Sequence, residues 1–189
     1  YIKGLSPRQA GLILIAQPVV MAVFSPLAGR LSDRVEPRIL ASAGMGISSV
    51  GLFLLALLGR ASSLAFVGAA LVVLGFGFGF FSSPNTNAVM SSVEKRFYGV
   101  ASATLGTMRL TGQMLSMGTA MLIFALFIGR VAITPAVFSR YLAALRTAFF
   151  IFGGLCAAGV FASLARGKIR GPITYFPGSP PSRIKSVWK

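Results

Sequence analysis

Five apolar runs, each long enough to cross a lipid bilayer, constrain this 189-residue chain more than any other feature. A membrane-spanning helix needs about 20 mostly apolar residues, and its backbone groups must be hydrogen-bonded within the segment. The runs are too long for barrel strands and do not alternate polar with apolar residues. The sequence therefore predicts an all-α polytopic membrane protein with five transmembrane helices, near residues 11–31, 39–58, 64–83, 100–128 and 141–165.

The composition is typical of a chain whose solvent is lipid. It is 55% hydrophobic and 11% charged, whereas soluble domains carry roughly 25% charged residues. The net charge of +15 is spread singly between apolar runs, so we expect no nucleic-acid partner. Because histidine is absent and the acids are few, we expect no catalytic residue, metal site or cofactor, and therefore no enzyme.

The positions of Lys and Arg predict an orientation. If the five spans alternate, eleven of the 18 basic residues fall on one side and five on the other, with Arg109 and Arg146 inside spans. The richer side should be cytoplasmic, which places the first loop and the C-terminus inside. We expect a transmembrane domain over 1–168 and a basic, Pro- and Gly-rich cytoplasmic tail over 169–189.

The loop between the first two spans carries two of the three acidic residues of the chain, Asp33 and Glu36. It runs from Gly29 to Arg38 and reads GRLSDRVEPR. This spacing, G-x-L-x-D-R-x-x-x-R, resembles the signature cytoplasmic loop of the major facilitator superfamily of transporters. The resemblance implies a cytoplasmic gating loop formed by Gly29, Asp33, Arg34 and Arg38, which helps to hold two transporter halves closed. An ordinary charged turn that fixes the topology is the alternative.

Further patterns narrow the resemblance to one branch. They are Ser6-Pro7 before Gly11, Pro18, Ser25-Pro26 before Gly29, and Gly99 to Ser102 leading to Arg109 and Gly112. They resemble the C-terminal half of the fourteen-span drug:proton antiporters, the EmrB/QacA-type exporters, over Tyr1 to Lys168. Such a half has six spans, so the resemblance implies a helix before Tyr1 and a separate N-terminal half. It also implies proton-coupled efflux of lipophilic drugs or toxic compounds by alternating access, with this chain inactive alone.

Uncharged and charged polar residues in or beside the spans are candidates for a transport cavity or gate: Gln17, Asn85, Asn87, Arg109 and Gln113. An ionisable residue inside a membrane is a functional hypothesis by default. Arg109 could instead snorkel to the cytoplasmic interface as an anchor. The fourth expected span is too long for the bilayer, and we expect its first third, residues 100–108, to pack in protein or line a cytoplasmic cavity.

Small residues four apart predict close helix contacts. Gly75 and Gly79, Gly44 and Ser48, and Gly112 and Ser116 have this spacing. In membranes such pairs let two helix backbones approach closely. A nucleotide-binding loop at Gly75–Gly79 is disfavoured because the run lies inside an apolar segment.

None of the expected spans contains Asp, Glu or His. A proton-coupled transporter needs a titratable group on its transport path, so we expect the coupling carboxylate in the N-terminal half. The expected partners are the bilayer, that half, a small lipophilic substrate and protons, in a cell membrane of the bacterial inner-membrane type. Two alternatives remain: uptake of a nutrient or organic ion by the same fold, and a non-transporting membrane scaffold or subunit.

Overall fold

A computed structural model describes residues 6–32, 34–59, 61–129 and 137–165, and every regular element in these ranges is helical. The helices are α1 (Pro7–Leu14), α2 (Ala16–Ser32), α3 (Pro37–Ala56), α4 (Leu64–Ser91), α5 (Tyr98–Ile128) and α6 (Phe138–Ala165), with a 3-10 turn at Lys95–Phe97 before α5. Counting α1 and α2 together, five segments of the described chain are long and apolar enough to span a membrane. The predicted fold class is confirmed. The expected tail, 169–189, lies outside the described residues.

Local sequence signals set where the helices begin. Ser6 caps α1: its hydroxyl accepts from the Gln9 amide N–H at 3.3 Å, and the Gln9 side chain accepts from the Ser6 N–H at 3.2 Å. Ser63 caps α4 in the same way through the Phe66 N–H at 3.1 Å. Pro37 is the first residue of α3, where its fixed φ suits a helix and its missing N–H costs nothing.

Prolines explain the irregularities of two helices. The first span is interrupted at Ile15, after Leu14. Pro18 lies four residues beyond Leu14, and a proline ring clashes with the carbonyl at that distance. Pro84 lies inside α4 and is fully buried. The helix continues through it to Ser91, so α4 is longer at its C-terminal end than the span expected to end at residue 83.

Helix α4 is the centre of the bundle, and its glycines bring α2 and α3 against it. A Cβ at Gly75 would meet the backbone carbonyl of Gln17, and one at Gly79 would lie 3.5 Å from the carbonyl oxygen of Met21. On the other side, a Cβ at Gly77 would lie 2.9 Å from the carbonyl oxygen of Gly44. The close packing predicted for Gly75, Gly79 and Gly44 is confirmed.

A ladder of small and polar contacts joins α3 to α6. The Ser49 hydroxyl donates to the Gly153 carbonyl at 2.9 Å, and the Ser42 hydroxyl donates to that of Ser163 at 2.8 Å. Near the C-terminus of α3, the Arg146 guanidinium donates to the Leu58 carbonyl at 2.7 Å, just after the helix ends. Arg146 therefore has a structural partner within the protein.

Helix α5 is packed most closely near its C-terminal end. This part packs on α6 through Ile123, which is buried with Ala144 and Ala148. Ile123 is the one buried residue in the whole of α5. A Cβ at Gly112 would meet no described atom within 4 Å. The close helix contact predicted for Gly112 and Ser116 is therefore absent from the described bundle.

We predict that Gly77→Ala destabilises the bundle. The new methyl group would sit 2.6 Å from the Ser48 amide nitrogen, and since backbone atoms cannot rotate aside, the helices must separate at a cost of about 1–3 kcal/mol. Gly68→Ala is the matched control on the same helix, where a Cβ meets nothing within 4 Å. Thermal unfolding of the purified variants in detergent measures the difference. Equal melting temperatures for the two variants would contradict this packing.

Candidate functional site

The C-terminal end of α2 rests on α4. A Cβ at Gly29 would lie 2.9 Å from the Ser83 hydroxyl oxygen, so a larger residue here would require the Ser83 side chain to rotate away. Asp33, the acid of the expected gating loop, lies outside the described residues.

A hydrogen-bonded chain fixes the start of the loop to α4. The Asn87 side-chain amide donates to the Ser32 hydroxyl at 2.8 Å, and that hydroxyl donates to the Gly29 carbonyl at 2.6 Å. Ser32 is buried, with 7% of its surface exposed. Asn87 is therefore hydrogen-bonded to the residue immediately before Asp33.

The basic residues of the loop differ in their surroundings. Arg34 is exposed, and together with Arg30, Leu27 and Leu31 it lines a shallow cavity of about 450 Å³ at the end of α2. Arg38 is half-buried, and its Nε lies 3.8 Å from Oε1 of Glu36. The loop therefore presents two guanidinium groups outward from α2 and holds a third beside an acid.

Arg109 meets α4 from the opposite side. Its guanidinium donates to the Ser82 hydroxyl at 3.4 Å, and the Arg109 side chain is otherwise exposed. Arg109 lies eleven residues into α5, or about 17 Å from the start of that helix at 1.5 Å per residue. Ser82 and Asn87 are on the segment of α4 that contains Pro84, so this segment contacts both Arg109 and the end of α2.

An apolar groove of about 400 Å³ runs between the C-terminal end of α4 and the N-terminal part of α5. Its walls are aliphatic and aromatic apart from one threonine, and its lining residues are Val89, Val93, Phe97, Val100, Ala101, Thr104, Leu105 and Met108. The first third of the fourth span was expected to pack in protein or line a cytoplasmic cavity. It lines this groove.

The structure separates the remaining candidates. Gln17 lies on α2 against the glycines of α4 through its backbone carbonyl. Asn85 is partly buried on α4, and Gln113 is exposed on α5, one turn beyond Arg109. Four of the nine predicted residues, Gly29, Asn87, Asn85 and Arg109, are therefore on or against the C-terminal part of α4. Of the others, Gln17 lies on α2, Gln113 on α5, Arg34 in the loop and Arg38 at the start of α3, while Asp33 lies outside the described residues.

A sequence profile describing the major facilitator superfamily matches residues 2–188 of the chain. The chain belongs to the major facilitator superfamily. The resemblance inferred from the charged loop is therefore correct at the level of the superfamily. Membership indicates a transporter rather than an enzyme, and a multi-pass membrane protein.

Several characterised and uncharacterised transporters are similar to part of the chain. An uncharacterised transporter of Escherichia coli, YebQ, is 38% identical over 112 residues, which are 59% of this chain and 24% of that protein. The riboflavin transporter RibZ of Clostridioides difficile is 33% identical over 57% of this chain and 24% of its own length. The multidrug efflux pump LfrA of Mycolicibacterium smegmatis is 28% identical over 67% of this chain and 25% of its own length. The matched segment spans about a quarter of each relative.

Sequence reasoning missed the serines that connect this superfamily member's helices. Ser32 contacts Asn87 and Gly29, Ser82 contacts Arg109, and Ser83 lies beside Gly29, yet none of these serines was a candidate. A signal was present, because Ser82 to Asn87 is a polar run inside an otherwise apolar helix. Buried polar groups need partners, so such a run marks the level at which neighbouring helices supply them.

We predict that Asn87 and Ser32 are energetically coupled. Asn87→Ala and Ser32→Ala each remove one side of the 2.8 Å hydrogen bond, so the double variant should lose about 1 kcal/mol less than the sum of the two singles. Unfolding free energies in mixed detergent micelles provide the measurement. Asn85→Ala is the control, since no coupling to Ser32→Ala is expected there. Strictly additive losses for Asn87 and Ser32 would contradict the link.

Proposed function

We propose that this chain is most of the C-terminal half of a proton-coupled exporter of lipophilic toxic compounds, which works by alternating access with a separate N-terminal half. The observation that carries the proposal is the uneven covering of the bundle. Helices α3 and α4 pack tightly, while α2 and α5 keep large apolar surfaces exposed, among them Val19, Val23, Met114 and Leu126. Large exposed apolar surfaces on α2 and α5, on either side of the polar segment of α4, are expected of a half-transporter that packs against a second half.

The cytoplasmic loop is proposed to act as one side of a latch. Asp33 would pair with the positive end of a helix or with a basic residue of the other half when the cytoplasmic side is closed. Contacts that exist in one state only bias an equilibrium by a few kcal/mol, which is sufficient for a switch. Through the hydrogen bond between Asn87 and Ser32, a movement of α4 would shift the loop that forms this latch.

Proton coupling is proposed to depend on the N-terminal half. Glu36 precedes α3, and Glu94 precedes the 3-10 turn, where its Oε2 lies 2.8 Å from Nε of exposed Arg96. Neither carboxylate is inside a described helix, and Asp33 follows the end of α2. The carboxylate that carries the proton would therefore come from outside this chain.

Uptake of a nutrient is the second candidate. The similarity to a protein named as a riboflavin transporter favours it, whereas the similarity to a protein named as a multidrug efflux pump favours export. Inside-out and right-side-out vesicles containing the full-length transporter separate the two directions. Accumulation of a lipophilic compound only in inside-out vesicles, abolished by an uncoupler, supports export.

We predict that Asp33→Asn in the full-length transporter lowers transport at least tenfold without reducing its amount in the membrane. The substitution removes a latch charge, whose loss is worth about 1–3 kcal/mol to the closed state, while leaving the apolar spans unchanged. Glu94→Gln, in the loop before α5, is the matched control and should transport normally. Initial rates in inside-out vesicles test both variants. Full activity of Asp33→Asn would refute the latch.

We also predict that the 189-residue chain alone shows no uncoupler-sensitive transport in liposomes. The transport path in the proposed arrangement lies between two halves, and one of them is absent. Co-reconstitution with the separately expressed N-terminal half should restore transport. Robust uncoupler-sensitive transport by the chain alone would overturn the two-half arrangement.

A further inference from the structure

We propose that the crevice between α4 and α5 binds an amphiphilic organic anion, with its negative group on Arg109 and Ser82 and its apolar body in the groove. The inference rests on the proposed transport function and specifies the chemical class of the cargo. The observations behind it are the position of the Arg109 charge, the faces of α4 and α5 that border the groove, and the residues that line the groove.

The first step concerns charge. Arg109 is a guanidinium eleven residues into a helix that is long and apolar enough to span a membrane. A charge within or beside such a span needs a counter-charge, a polar partner or water. The described helices contain no Asp or Glu, and Arg146, the other arginine inside an expected span, is hydrogen-bonded to a backbone carbonyl. The fixed charge beside the crevice is therefore positive, so it attracts an anion and repels a cation.

The second step concerns the hydrogen-bond donors that Arg109 can offer to a ligand. Among the described residues, the Arg109 side chain makes one hydrogen bond, to Ser82, and its length of 3.4 Å is at the weak end of the range. A guanidinium has five N–H donors in a planar fork that matches carboxylate, sulfonate or phosphate oxygens. Most of these donors remain available to a ligand, and the Ser82 hydroxyl is close enough to donate to the same ligand.

The third step concerns direction. Ala101, Leu105 and Arg109 are four residues apart and therefore share one face of α5. Ser82 and Val89 are seven apart and share one face of α4. Since Ala101, Leu105 and Val89 line the groove, the Arg109–Ser82 pair stands at its membrane-facing end. A ligand whose anionic group contacts Arg109 can therefore extend its apolar part along the groove.

The fourth step concerns fit. The volume of about 400 Å³ lies in the range of small-molecule sites. The walls offer aliphatic carbon, the Phe97 ring and the Met108 thioether, with Thr104 as the polar exception. Methionine adapts to ligands of different shape. The groove therefore selects for an apolar body while the arginine selects for a negative charge.

The experiment compares two probes that share an apolar body and differ in charge: 1-naphthalenesulfonate and trimethyl(1-naphthyl)ammonium. Their affinities for the purified full-length transporter in nanodiscs are measured by titration calorimetry. Arg109→Gln should weaken sulfonate binding at least tenfold, while ammonium binding stays equal or becomes tighter. Arg109→Lys should recover part of the sulfonate affinity because it keeps the charge. Arg140→Gln, an exposed arginine at the start of α6, is the matched control and should change neither affinity.

A second variant tests the groove itself. Ala101→Phe fills it while leaving Arg109 in place, and should weaken sulfonate binding with the melting temperature unchanged. Unchanged sulfonate affinity in Arg109→Gln, or an equal loss for both probes, would overturn the anion site. Unchanged affinity in Ala101→Phe would overturn the role of the groove.

Uncoupler-sensitive efflux of naphthalenesulfonate, measured on the same preparations, keeps the two proposals separate. Efflux that persists without charge-dependent binding contradicts the anion site alone. Charge-dependent binding without uncoupler-sensitive efflux supports the anion site and contradicts the proposed exporter.

Discussion

The close approach of α2, α3 and α4 at their glycines is the interaction on which the rest of the bundle depends. In a bilayer, lipid tails are as apolar as leucine, so apolar side chains alone give helices little reason to associate. Gly44, Gly75 and Gly77 remove the side chains that would keep the backbones apart. Dispersion contacts between backbones then replace contacts with lipid. Helix α4 becomes the fixed centre of the bundle, and its polar segment Ser82–Asn87 is held in place beside the neighbouring helices.

Much of this arrangement could be predicted, because lipid leaves few choices. The apolar runs dictate helices, and the glycine spacing at Gly75 and Gly79 indicates a close contact. Which partner a residue meets could not be predicted. Asn85 and Asn87 are both amides in the same helix, yet only Asn87 reaches a described neighbour, Ser32, because two residues of separation turn the side chain through about 200°.

The error at Gly112 has the same origin. Its spacing from Ser116 would allow a second helix to approach closely, but the spacing alone does not show that a second helix lies there. In the described bundle the face that carries Gly112 meets no other helix. Arg109 illustrates the opposite case, since its contact with Ser82 depends on the turn between α4 and α5 and has no signal in the local sequence.

The thin packing of α5 between its two ends has a mechanical consequence. The helix is a rod of 31 residues, about 46 Å long at 1.5 Å per residue. One end is held by the buried cluster around Ile123, and the other follows α4 through the turn at Lys95–Phe97. Regions with few buried contacts open at low free-energy cost. The stretch of α5 between these two attachments therefore moves more easily than either end, and the crevice that it borders with α4 would adjust its width to bodies of different thickness.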